Sequence, residues 1–225
     1  MTFVLIHGAG DVSWYWHLVE RELRALGHDV IAPDLPCDDD GAGLEEYAQT
    51  VISAVGARKR LAIVAQSFGG FTAPIVADRL GAEALILVAA MIPRPGERPD
   101  DYWKNTGYRE AVEKQSARDG GVTGHQDPYV LFYHDVPRRL AESAMRRGRS
   151  QSATPGAAPW PLDAWPRVRT KCVICTEDRF FPAGYLRRVV EERLGVLPDE
   201  IAAGHCVALS RPRELTAMLN AYTEP

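Results

Sequence analysis

Short apolar runs that alternate with helical patterns constrain this chain more than any other feature. The runs lie at residues 3–6, 29–32, 61–65, 84–89 and 171–175, with a weak one at 200–201. Between them, Leu44, Tyr47, Ala48, Val51, Ile52 and Val55 repeat at the spacing of one helix face. Leu186, Val189, Val190 and Leu194 do the same, with Arg187 and Arg188 on the wet side, and Leu215, Met218, Leu219 and Tyr222 repeat it near the end. A less regular helix is expected from Trp14 to Leu26, stopped by Gly27, and another from Phe71 to Leu80. Strands alternating with helices imply an α/β fold: a mostly parallel sheet of about six strands, covered by helices on both faces. In such a sheet, function belongs at the carboxyl ends of the strands.

One segment breaks the alternation. Residues 93–166 contain no buried strand but many prolines, and they hold Tyr102, Trp103, Tyr108, Tyr129, Phe132, Tyr133, Trp160 and Trp165. Short helices are expected near residues 101–117, 128–133 and 137–147. A long interruption within an α/β unit is usually functional. We read 93–166 as a helical cap inserted into a core made of 1–92 and 167–225. Its aromatics would supply the apolar walls that a pocket needs.

Composition narrows the function classes. With 225 residues the chain is most simply one core plus that insertion, and a net charge of −4 gives no basic footprint for nucleic acid. No apolar run reaches the length of a membrane span. The start goes straight into a strand, without signal-peptide features, so a cytoplasmic place is expected. Cys172 and Cys175 form a C-x-x-C, but on a strand they point to opposite faces, so with Cys37 and Cys206 they read as buried free thiols. No His/Cys cluster has metal-ligand spacing, and neither metal nor cofactor is expected.

The stretch Gln66-Ser67-Phe68-Gly69-Gly70 sits between a strand and a helix. Serine at such a junction, with small residues two before and two after it, describes a nucleophile elbow. Ala65 and Gly69 fill those places, with Ala65 departing mildly from G-x-S-x-G. By itself Ser-x-Gly-Gly also occurs in ordinary turns. A serine hydroxyl needs a base, and the base needs an orienting acid. Of the histidines after Ser67, His125 and His134 fall in the insertion, whereas His205 follows the last strand, beside a glycine suited to the loop it needs. The acid should follow the strand at 171–175, where Glu177 and Asp178 are both available. Two backbone donors are needed for an oxyanion: the amide of Phe68, after the serine, and that of Ala9, in the loop His7-Gly8-Ala9-Gly10 behind the first strand.

These pieces resemble an α/β-hydrolase of the plant methylesterase and hydroxynitrile lyase type, in its bacterial esterase branch. The resemblance rests on Val4-Leu5-Ile6-His7-Gly8-Ala9-Gly10 with Trp14-Tyr15-Trp16, Leu26-Gly27-His28-Asp29-Val30, Ala32-Pro33-Asp34-Leu35, Gln66-Ser67-Phe68-Gly69-Gly70, Glu177-Asp178-Arg179-Phe180-Phe181-Pro182 and Gly204-His205-Cys206-Val207-Ala208-Leu209-Ser210. It covers most of the chain and is weakest in the insertion. It implies the α/β-hydrolase fold, no cofactor, Ser67, Asp178 and His205 as catalytic residues, and Ala9 and Phe68 as oxyanion donors. The aspartate just before Phe-Pro is the family's acid, which favours Asp178 over Glu177. Hydroxynitrile lyases carry a lysine after the histidine, where this chain has Cys206, and a threonine in the first loop, where it has Gly8. Both departures speak against lyase chemistry. Gln66 stands where many relatives have histidine, and a structural role is expected for it.

The expected function is that of a carboxylesterase-like serine hydrolase. It would cleave a small or medium apolar ester through an acyl-enzyme. The same residues acting on a C–C or thioester bond, or in a biosynthetic cyclisation, are the alternative, and a non-catalytic ligand-binding homologue is the third reading. The partner is then a small-molecule ester, with no nucleic acid and no membrane, and a homodimer stays open.

Overall fold

The computed structural model describes residues 1–223. Six strands form one sheet: β1 (Thr2–Ile6), β2 (Asp29–Ile31), β3 (Leu61–Gln66), β4 (Ala84–Val88), β5 (Arg169–Cys175) and β6 (Asp199–Ile201). Every pairing is parallel, in the order β2-β1-β3-β4-β5-β6. All residues of β1, β3 and β4 are buried, as strands covered on both faces must be. That is why they are legible as continuous apolar runs and not as alternation.

Helices α1 (His17–Ala25), α2 (Leu44–Val55) and α3 (Gly69–Leu80) connect the first four strands, with α1 entered through a short 3₁₀ turn, Ser13–Trp16. The irregular pattern over Trp14–Leu26 is thus two helices of different pitch. Between β4 and β5 come only short helices: a 3₁₀ turn at Pro99–Asp101, then α4 (Tyr102–Asn105), α5 (Tyr108–Ser116), α6 (Pro128–Leu131), α7 (Arg138–Arg147) and α8 (Thr154–Ala157). The single helix expected at 101–117 is broken at Gly107, whose φ of 64° leaves the helical region. After β5 come α9 (Ala183–Leu194), α10 (Val207–Ser210) and α11 (Pro212–Ala221). α2 packs on α3, and α1 on α11.

The apolar face of α2 buries Leu44, Tyr47, Ala48, Val51 and Val55, as its spacing requires. The β4–β5 segment is pinned to the core by a buried ion pair. Glu97 accepts from both terminal nitrogens of Arg193 on α9, with one contact at 2.8 Å, and from Asn105 at 2.9 Å. Both side chains are almost wholly buried, and the Arg193 guanidinium also lies 4.9 Å over the Tyr102 ring. Trp160 ties the far end down, its indole N–H donating to the Phe71 carbonyl at 2.9 Å.

The strand order places the site. From β1 the chain moves outward to β2, then returns to add β3 on the other side of β1. The loops leaving β1 and β3 therefore diverge, and a crevice opens between their carboxyl ends. Ile6 pairs with Ala65, so the loop from His7 and the turn at Ser67 begin side by side.

Candidate active site

Ser67 follows β3 directly and has φ of 51°, a left-handed conformation that costs a non-glycine residue of order 1 kcal/mol. The surroundings enforce it. Its carbonyl accepts from the amides of Gly70 at 3.1 Å and Met91 at 2.9 Å, which closes the turn onto α3. Small residues are needed because backbones meet there. A Cβ on Gly69 would lie 2.8 Å from the His7 carbonyl oxygen, and one on Gly70 only 1.9 Å from that of Met91. A Cβ on Gly8 would stand 2.5 Å from the Gln66 side-chain oxygen and 3.0 Å from Ser67 Cβ. A larger side chain in the position Gly8 holds would have to displace the Gln66 side chain.

His7 fixes the same loop. It is fully buried, with Nδ1 2.8 Å from the Gly8 carbonyl and Nε2 3.0 Å from the Leu35 amide. The amide must donate, so Nε2 is the acceptor and Nδ1 carries the proton. Burial pushes the imidazole down to about 4, against the weaker opposing effect of the Gly8 bond.

Asp178 lies in the loop after β5, its side chain fully buried. One carboxylate oxygen accepts from the amides of Phe180 at 2.8 Å and Phe181 at 2.9 Å. The other lies 2.7 Å from His205 Nδ1. With both oxygens engaged, this carboxylate has one orientation, and so has the imidazole it holds. Phe180, Phe181 and Phe132 surround that imidazole with ring centroids 5.1, 5.4 and 5.5 Å away. Glu177 is exposed, and it is the Asp178 carboxylate that meets His205. The geometry thus separates the two neighbouring acids that strand order alone leaves equivalent.

Ser67 and His205 both line a cavity of about 210 Å3, together with Gly8, Ala9, Gln66 and Phe180. Ala9 and Phe68 lie in the two loops that meet there, and among the described residues neither amide is spent on another protein group. The Gln66 side-chain N–H donates to the His205 carbonyl at 3.4 Å, tying β3 to the last loop. Of the aromatics in 93–166, Phe132 and Tyr133 reach this cavity. Trp103 does not. It packs behind, on Tyr108, Phe180 and Phe181, so the expectation that the segment's aromatics line the pocket holds only in part.

His125 and His134 are elsewhere. His125 accepts from the Asp127 amide at 3.0 Å, and His134 Nε2 lies 3.0 Å from the Glu177 carbonyl. Next to it, Asp135 accepts from the Gly204 amide at 2.8 Å. A Cβ on Gly204 would lie 2.6 Å from Asp135 Oδ1 and 2.7 Å from His134 Nε2. Glycine precedes His205 because the β4–β5 segment presses on it, and not because the loop needs a special dihedral.

Sequence reasoning missed Asp11, Tyr15 and Met145, which also face the cavity. Asp11 was within reach of the argument, being in the loop after β1 that carries Ala9. Cys206 lines the cavity as well, and burial holds its thiol far above the usual range and therefore neutral. All four cysteines are free and buried. A larger cleft of about 580 Å3 opens between α5 and α9, lined by Lys114, Arg118 and Arg188. Among the described residues, no serine, cysteine or histidine lines it. Among the described residues no group of His, Cys, Asp or Glu is placed to hold a metal, and no helix is long and apolar enough to cross a membrane.

A strained serine at the end of β3 and a buried carboxylate–imidazole pair from the loops after β5 and β6, all at one sheet edge, define a hydrolase-type site. The chain belongs to the alpha/beta hydrolase family, whose model matches residues 3–218. It is 24% identical to norfluorocurarine synthase 1 of Strychnos sp, over 96% of this chain and 93% of that protein. It is 27% identical to methyl jasmonate esterase 1 of Vitis vinifera, over 99% and 96%. The fold matches the crystal structure of polyneuridine aldehyde esterase with a TM-score of 0.79 at 20% identity, covering 99% of both chains.

Proposed function

We propose that this chain is a serine carboxylesterase that cleaves small esters with an apolar acyl or alcohol group through an acyl-enzyme. The observation that carries the reading is the 2.7 Å contact between Asp178 and His205 Nδ1 in the wall of the cavity that also exposes Ser67. With Nδ1 engaged by the acid, Nε2 is the nitrogen left to take the Ser67 proton. Ser67 Oγ attacks the ester carbonyl. The oxyanion forms beside the amides of Ala9 and Phe68, at the N-terminus of α3, whose dipole also favours negative charge. The tetrahedral species collapses, the alcohol leaves with the proton from His205, and water activated by the same imidazole releases the acid. Asp178 holds the tautomer and orientation of the imidazole. Residues 93–166 act as the cap, with Phe132 and Tyr133 shaping the pocket. The esterases among its relatives support the same activity.

A burst experiment tests this. With a p-nitrophenyl ester of a short acid, one equivalent of nitrophenol should appear before steady turnover, and a fluorophosphonate should add to Ser67 alone by peptide mass mapping. Ser67→Ala should lose about 10³-fold or more in kcat while staying folded. Label on another residue, or full turnover in that variant, would remove the assignment. A binding protein without catalysis would give neither burst nor label.

A further inference from the structure

We propose that the site selects esters bearing a cationic amine, with Asp11 as the anion that recognises it. This rests on the esterase reading and deepens it. Among the described residues, Asp11 is the one carboxylate in the wall of the Ser67 cavity, and no lysine or arginine lines that wall. Among the described residues the carboxylate makes one hydrogen bond, from the Val12 amide at 2.8 Å, and no ion pair with lysine or arginine. The charged or titratable groups that face it are His205 and Asp34, of opposite effect, and the neutral Tyr15, Cys37, Tyr133 and Cys206. Burial pushes Asp11 up to about 6, which still leaves it mostly ionised at neutral pH. The protein thus keeps a negative charge in a mainly apolar cavity and gives it no cationic side chain.

The other walls fit the same ligand. Tyr15, Phe132, Tyr133 and Phe180 line the cavity. Aromatic faces attract alkylammonium groups, and a carboxylate among them adds the counter-charge. An anionic substrate would meet repulsion from Asp11 instead. At about 210 Å3 the cavity falls below the usual range for drug-sized ligands, so the amine must lie close to the ester.

The test uses acetylcholine and its neutral isostere 3,3-dimethylbutyl acetate, which differ only in charge at the branched end. The parent protein should favour the cationic ester in kcat/KM by about tenfold, and Asp11→Asn should bring the ratio of the two near one. Should both esters slow together with the ratio unchanged, Asp11 acts through His205 and the proposal fails. A second measurement needs neither variant nor turnover: choline should bind the parent protein about tenfold more tightly than 3,3-dimethylbutanol by saturation-transfer NMR. Equal binding, or none by either, would overturn the proposal. A preference for choline without hydrolysis of any ester would instead reject the esterase reading and leave the recognition standing.

Discussion

Replacing Asp11 by asparagine should make the protein more stable, by an amount that grows as pH rises from about 4 to about 6 and then levels off. The carboxyl titrates near 6 in the folded chain against an ordinary 3.8. The folded state therefore binds the proton more tightly, and between those two values it holds more protons than the unfolded chain. Stability contributed by this group then falls as pH rises through that window. Above it, the ionised carboxylate costs the fold at most about 3 kcal/mol, and partial exposure to cavity water leaves roughly half of that. Asparagine cannot ionise and keeps an oxygen for the Val12 amide. The variant should melt about 3–6 °C higher at pH 8, given the size of the chain, and the gap should shrink to about a third of that near pH 4.5. His7 works in the opposite sense. Its folded value near 4, against 6.5, means that stability is lost as pH falls between them, so the parent's own profile mixes two opposed effects. Thermal melts of parent and variant at matched pH isolate Asp11. Coincident melting at pH 8, or a gap independent of pH, would show that the charge is well solvated and refute the reasoning.

The remaining predictions concern the geometry around the site. Asp178→Asn should reduce kcat on a short activated ester by roughly 10⁴-fold, and Glu177→Gln by less than about tenfold; steady-state kinetics giving the reverse ranking would move the acid. Glu97→Ala should destabilise by about 3–5 kcal/mol in urea titrations because it strands the buried Arg193, whereas exchanging both partners for methionine and leucine should cost less. Gly70→Ala should cost about 3 kcal/mol or more, read as a lower urea midpoint or insoluble expression, because its Cβ would sit 1.9 Å from the Met91 carbonyl oxygen.

The sheet was legible in the sequence because β1, β3 and β4 are buried on both faces and so leave unbroken apolar runs. The loops that carry Ser67, Asp178 and His205 follow from that sheet, since each leaves the carboxyl end of a strand. Neighbour choice was harder. Glu177 and Asp178 differ by one position, and only the amides of Phe180 and Phe181 show which one turns inward. The inner face of 93–166 carries no periodic signal, because α4, α6 and α8 are each about one turn long. Which of Trp103, Phe132 and Tyr133 reaches the cavity depends on contacts between distant parts of the chain. The same holds for the meeting of Asp135 with Gly204.

The two outer strands also bear on how copies of this chain meet. Each is three residues long, and its acidic side chains are already engaged: Asp29 of β2 with Arg58 at 2.7 Å, Asp199 of β6 with the Tyr222 hydroxyl at 2.6 Å, and Glu200 with Arg187. Short, charged edges are poor templates for an incoming strand. Extending the sheet into a second copy would disrupt these contacts, so the fold carries its own protection against edge-to-edge aggregation.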